Sequence, residues 1–189
     1  MSRGRPSKKK TILDVAQTLF SLHGYQGTSI DLVVREAAVS KPTVYNNFPS
    51  KQVLFQELVK RQYDILVARQ LLISAGKCPL SERLYLAFRQ VIEQPFEVII
   101  FRVYFGEPHK LDDQSLALCE QFEGQITRFF HSELLSLNLS VAQQRVVHAV
   151  YNNALLINTL HSGEDNALPL SYEELKEQIE VLCIQGLRL

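Results

Sequence analysis

Cysteine is scarce in this 189-residue sequence: Cys78, Cys119 and Cys183 stand far apart, with no CxxC pair among them. That excludes a disulfide framework and a zinc ribbon, and it fits thiols kept reduced in a cytosol. No apolar run approaches the roughly 18 residues that a membrane helix needs. The basic start MSRGRPSKKK leads into an amphipathic pattern, so neither membrane insertion nor export is expected and the protein is placed in the cytoplasm. A Gly-rich phosphate loop, a nucleophile elbow and an HExxH motif are missing as well. The histidines add no metal-binding motif. No catalytic residue, cofactor or metal site is therefore expected, and an enzyme is the weakest of the functional classes. Net charge is also lacking, with 20 Lys/Arg against 20 Asp/Glu. The balance conceals a division: residues 1–61 hold ten Lys/Arg against four Asp/Glu, and residues 62–189 hold ten against sixteen. A basic first third joined to an acidic remainder is the charge distribution of a chain whose one end meets a polyanion.

Sustained strand-like alternation is absent, while apolar residues recur at helical spacing almost throughout, so the chain reads as all-α. With 46% hydrophobic residues it has enough material for a sizeable core. Ile12, Ala16, Leu19 and Phe20 form the stripe of a first helix that ends near HGYQG, where Gly24 and Gly27 supply the stop. Ile30, Val33, Val34 and Ala37 make a second stripe, capped by Thr28 or Ser29. A short third helix follows in VSKPTVYNNF, and a fourth opens with Ser50 as N-cap. Further helices are expected near residues 80–94, 96–106, 112–137, 140–161 and 171–187, with capping-box spacing at Ser140/Gln143 and Ser171/Glu174.

On a helical wheel the third helix has one narrow apolar stripe, Val44 and Phe48. Pro42 and Asn46 lie opposite, with Thr43, Tyr45 and Asn47 on the flanks. So short a helix is marginal alone and must be held by the two before it, so its polar groups are displayed to solvent. Two helices joined by a tight turn, the second presenting hydrogen-bonding groups beside basic residues, are a helix-turn-helix whose second helix suits the major groove of DNA. Asn pairs with adenine, hydroxyls bond phosphate, and Pro42 can touch a thymine methyl.

Residues 24–58, GYQGTSIDLVVREAAVSKPTVYNNFPSKQVLFQEL, resemble the DNA-binding domain of the TetR family of transcriptional regulators. The resemblance rests on Gly24-Tyr25, Thr28-Ser29, Ala37-Ala38-Val39-Ser40, Lys41, Thr43-Val44-Tyr45, Phe48, Ser50-Lys51 and Leu54-Phe55. It departs from the family's pattern at Ala38 and Pro42, where Gly is frequent. If the first of these turn residues takes a positive φ, Ala38 carries about 1 kcal/mol of strain; Pro42 offers no N–H to a phosphate. The resemblance implies phosphate contacts from Thr28, Thr43, Tyr45, Asn47 and Lys51, and base-edge contacts from Lys41, Pro42 and Asn46, with Ser40 at the helix start. Arg3 and Arg5, in the arm ahead of the first helix, have two readings: entry into the adjacent minor groove, or a solubilising tail.

The same resemblance implies a division into residues 1–49, binding DNA, and residues 50–189, holding an effector and the dimer contact. Phe88, Phe101, Arg102, Tyr104, Phe105, Phe122, Ile126 and Phe129 are the expected effector pocket. Its aromatic surface and single cation favour a hydrophobic ligand, neutral or anionic, over a lipophilic cation held by Glu97, Glu120 or Glu123. Val146, Val150, Ile157 and Leu160, with Leu175, Ile179 and Leu182, are the expected homodimer face, interrupted by Asn152 and Asn153. The expected function is a homodimeric repressor that a small hydrophobic effector releases from a palindromic double-stranded operator. The alternative is a DNA-binding regulator without an effector, architectural or redox-responsive through Cys78.

Overall fold

The first four helices each start at a serine. Ser7, Ser29, Ser40 and Ser50 each occupy an N-cap in extended backbone, and each hydroxyl accepts from the backbone N–H three residues on, Lys10, Leu32, Thr43 and Val53 respectively. They open α1 (Lys8–Gly27), α2 (Ile30–Glu36), α3 (Lys41–Asn47) and α4 (Lys51–Ala75). The choice between Thr28 and Ser29 as the cap of α2 falls to Ser29. Then come α5 (Leu80–Ile92), α6 (Pro95–Phe101), a π turn (Arg102–Gly106), a 3-10 turn (Pro108–Lys110) and α7 (Asp113–Leu134), the last capped by Asp112. The computed structural model describes residues 7–135, 139–145, 149, 152, 153 and 177. No strand occurs among them, and the fold is all-α as expected. The Ser140/Gln143 capping box is present in both directions, at 2.9 and 3.3 Å. Ser171/Glu174 and the expected helix at 171–187 lie outside the described residues except for Glu177.

At α1 the start differs from the sequence expectation, while the end near Gly24 and Gly27 agrees with it. Lys8, Lys9 and Lys10 form the first turn of α1 instead of extending the basic arm, because Ser7 caps the helix ahead of them. At the other end the helical pattern is interrupted at Gly24, whose φ of 69° and ψ of 177° no side-chain-bearing residue adopts without strain, and one further turn runs on to Gly27.

The core is continuous from the first three helices into the rest. Phe20, Phe48, Phe55, Phe88, Phe96, Phe122 and Phe130 are among its fully buried side chains. α1 packs along α6 and also against α4, while α4 packs along α7. Phe20, Tyr25, Phe55 and Phe96 interlock at this crossing, with ring centroids 4.9–6.2 Å apart. Such aromatic pairs add about 0.5–1.5 kcal/mol each beyond the area they bury.

Among the described residues one charged side chain lies wholly inside. Glu97 on α6 is 0% exposed; its Oε1 accepts from Gln62 Nε2 at 2.6 Å and from Arg69 Nη1 at 3.2 Å, while Oε2 has no partner. Burial outweighs both neighbours and pushes the carboxyl up to about 8, from an ordinary 4.5. The folded state therefore holds this proton more tightly than the unfolded chain. Its stabilising contribution is complete below a pH of about 4.5 and is lost as pH rises through about 8. Glu97→Gln should retain the fold and remove that dependence, so that wild type loses stability relative to the variant between about pH 5 and 8 in denaturant titrations. Parallel pH curves for the two proteins would show that Glu97 is not titrating there.

Candidate nucleic-acid interface

The interface begins at the turn between α2 and α3. Val39 N–H donates to the Val34 carbonyl and Ala38 N–H to the Arg35 carbonyl, both at 3.3 Å, the paired bonds of a Schellman turn. Its left-handed position is Ala38, with φ at 51°. Val34 and Val39, which close such a turn by apolar contact, both pack on the core. The turn is therefore made by an alanine where glycine would be unstrained, and the expectation of strain at Ala38 holds.

α3 follows directly. Ser40 accepts from Thr43 N–H at 3.3 Å and shares a 2.7 Å hydroxyl–hydroxyl bond with Thr43 Oγ1. Pro42 occupies the first turn, where its missing N–H costs no helical bond. Val44 and Phe48 are 0% exposed, so the narrow stripe read from the sequence is the buried face. Ser40, Lys41, Pro42, Tyr45 and Asn46 are exposed and Thr43 is half-buried. Tyr45, at 43% exposure, is the most prominent apolar surface on the helix.

Other expected contacts turn inward. Thr28 is 1% exposed and its hydroxyl donates to the Gly24 carbonyl at 2.9 Å, bracing the glycine turn; it presents nothing to a phosphate. Asn47 Nδ2 donates to the Thr43 carbonyl at 2.8 Å, so that amide is folded back onto its own helix. Lys51 Nζ donates to the Tyr25 carbonyl at 3.0 Å and sits 4.5 Å from the Tyr25 ring centroid. Burial lowers the pKa of this amine. Lys51 thus staples the start of α4 to the Gly-Tyr turn. Lys41 reaches Asp31 Oδ1 at 2.8 Å, and that hydrogen bond raises its pKa. Both groups are exposed, so the pair is weak and readily exchanged for another acceptor. Asp31 and Lys9, whose ammonium lies 5.7 Å from the Phe48 ring centroid, were missed from the sequence. The position of Asp31 in the first turn of α2 was the only available signal. Arg3 and Arg5 lie outside the described residues.

In the later helices the expected pocket residues divide: Phe88, Phe101, Phe122, Ile126 and Phe129 are buried, Arg102 and Tyr104 are half-buried and Phe105 is exposed. Phe101 lies edge-on to Phe122 at 6.2 Å and stacks with Phe105 at 5.7 Å, and Tyr104 meets Phe105 at 4.7 Å. Phe88, Phe101, Phe122 and Ile126 are each at most 2% exposed. Three cavities among the described residues, of about 320, 410 and 360 Å³, are lined by other side chains, with Phe129 bordering the first and Arg102 the third. Cys78 is half-buried; Cys119 is fully buried and its thiol is pushed up to about 12, which keeps it unreactive. The residues of the expected dimer face, Val146, Val150, Ile157, Leu160, Leu175, Ile179 and Leu182, lie outside the described residues. Asn152 is half-buried and Asn153 exposed. No helix among the described residues is long and apolar enough to cross a membrane.

Residues 12–58 match the family described as "Bacterial regulatory proteins, tetR family". Over 117 residues the chain is 29% identical to the HTH-type transcriptional regulator RutR of Escherichia coli strain K12, covering 59% of this chain and 55% of that protein. Over 58 residues it is 38% identical to IcaR of Staphylococcus aureus strain Newman, a negative transcriptional regulator of the biofilm operon icaADBC, covering 31% of each. The chain thus spans about half the length of RutR and less of IcaR. A crystal structure of AibR in complex with isovaleryl coenzyme A and operator DNA superposes with a TM-score of 0.69 at 18% identity, covering 93% of this chain and 98% of that one. At that identity the likeness concerns the fold.

The Schellman turn yields a direct test. Ala38→Gly should raise stability by about 0.5–1 kcal/mol, the left-handed strain relieved less the entropy that glycine loses on folding. An unchanged or lower stability in urea titration would mean that the turn is not strained.

Proposed function

We infer that this chain, whose residues 12–58 belong to the tetR family of bacterial regulatory proteins, is a DNA-binding transcriptional regulator that works as a cytoplasmic homodimeric repressor. α3 enters the major groove, and a small effector releases the protein from a palindromic operator. The observation that carries this reading is the division of α3 itself. Val44 and Phe48 are completely buried, while Pro42, Tyr45 and Asn46 are exposed. A seven-residue helix held so firmly by two anchors exists to present its other face.

Repression is supported by the likeness to IcaR, and effector response by the AibR complex, in which a coenzyme A thioester and operator DNA occur together. In this reading residues 1–49 bind DNA and residues 50–189 supply the effector and dimer functions. A dimer follows from the length of one α3, which reads only half a site; two copies spaced by about 34–36 Å fit one helical turn of DNA. Lys41 exchanges its bond to Asp31 for a base edge or phosphate on docking, and Tyr45 offers its hydroxyl to the backbone.

The side chains divide accordingly. With duplexes selected from a randomised library, Asn46→Ala should lose about 1–3 kcal/mol of discrimination at one base pair in each half-site. Tyr45→Ala should weaken all sequences alike, by about 0.5–1.5 kcal/mol. A wild-type protein that selects no duplex, or an Asn46→Ala variant with an unaltered preference at every position, would contradict the placement of α3.

A further inference from the structure

Between α1 and α6 the packing fails in one place. α1 leaves helical geometry at Gly24, and the segment running on from α6 widens into the π turn that starts at Arg102. Two helices interdigitate only while both keep their ridges in register. Where both depart from it, a cavity of about 360 Å³ opens, lined by His23, Gly24, Tyr25 and Gln26 from one side and by Ile99, Arg102, Val103 and Glu107 from the other. It shares Arg102 with the expected pocket but none of that pocket's aromatic side chains, and it joins the helix-turn-helix to the helices behind it.

We propose that this junction cavity is a binding site for a small carboxylate with a short apolar body, and that its occupancy sets the angle of the helix-turn-helix. The proposal rests on the reading of the chain as a ligand-responsive regulator. Ile99, Val103 and Tyr25 are 3–4% exposed and give the cavity an apolar floor. Arg102, half-buried, and His23, exposed, supply donors at the rim. A guanidinium carries five N–H donors in a planar fork, so it can accept a carboxylate bidentately while keeping a protein partner. Glu107, the acidic residue of the lining, is held by Lys110 at 2.6 Å, so its charge is answered from beside the cavity. π turns recur at functional sites because they re-aim side chains that an α-helix would keep in register.

The volume lies at the small end of ligand pockets, about 300–1,000 Å³, which suits a short acid. A ligand in this gap favours the conformation in which the glycine turn stands away from the π turn. Thr28, Ser29 and the start of α2 continue directly from the glycine turn, so the choice of conformation reaches α3.

The test uses the full chain, with hexanoate and benzoate as acids, their amides as neutral counterparts and hexylamine as the cation. Binding is followed by calorimetry and thermal shift. Both acids should bind and raise Tm, and the amides and amine should not. Arg102→Gln should weaken the acids by about tenfold or more, Arg102→Lys should restore part of the loss through charge without the fork, and Arg128→Gln, in the groove between α4 and α7, should change nothing. Binding of amides or amine as tight as that of the acids, loss in Arg128→Gln with Arg102→Gln intact, or no binding at millimolar acid would each overturn the proposal. Duplex retention is measured separately. If another ligand class releases DNA while the acids do not bind, the regulator stands and this site falls; if the acids bind through Arg102 and no duplex is retained, the reverse holds.

Discussion

The interlocked rings of Phe20, Tyr25, Phe55 and Phe96 are the constraint on which the rest of this structure depends. They come from α1, the glycine turn, α4 and α6, and they touch at one point. Three short helices could not bury enough surface to hold α3 rigid by themselves. The rings extend their core into the later helices and make the orientation of α3 a property of the whole chain. Lys51 secures the same corner from outside, with its ammonium over the Tyr25 ring and donating an N–H to the Tyr25 carbonyl. Further along α4, Gln56 donates to Asp112 and to Ser115 at the start of α7, at 3.1–3.3 Å. Apolar and polar contacts thus tie α4 to α1, α6 and α7.

Local chemistry in the sequence announced the first four helices well. Ser40 and Ser50, and Ser29 as one of two candidates, were recognisable as caps because their hydroxyls act within three residues, and Val44 and Phe48 were recognisable as anchors because helical spacing alone puts them together. The left-handed position of Ala38 was legible only as a condition, through a resemblance to a family that often has Gly there. Partner choice over long range was not. Lys51 finds a carbonyl 26 residues earlier, and Thr28 turns beneath the glycine turn, so two residues that resembled phosphate ligands became structural braces. Nothing in composition distinguishes a lysine aimed at DNA from one aimed at tyrosine.

The later helices show the same limit more strongly. Aromatic richness from Phe88 to Phe129 is equally compatible with a pocket and with a packed core, and among these residues the rings close on one another. The break after α6 was legible through Gly106 and Pro108, but its form, a π turn beside the glycine turn of α1, depends on two distant segments meeting. Polar groups buried between layers, such as Glu97 with Gln62 and Arg69, or Glu133 with Arg83 at 2.7 Å, likewise become visible only once the layers are in place. They fix register between helices whose apolar stripes alone would tolerate sliding.

If the aromatic crossing governs α3, then a change at its far side must be felt on DNA. Phe96 is 1% exposed, belongs to α6 and displays nothing to a nucleic acid. The decisive measurement is the affinity of Phe96→Leu for a duplex selected by the wild-type protein, taken across a range of salt and at a temperature where circular dichroism shows the helices intact. The account predicts weaker binding with an unchanged salt slope, because the phosphate contacts remain available while the orientation of α3 is no longer held. Wild-type affinity in a folded Phe96→Leu variant would contradict it.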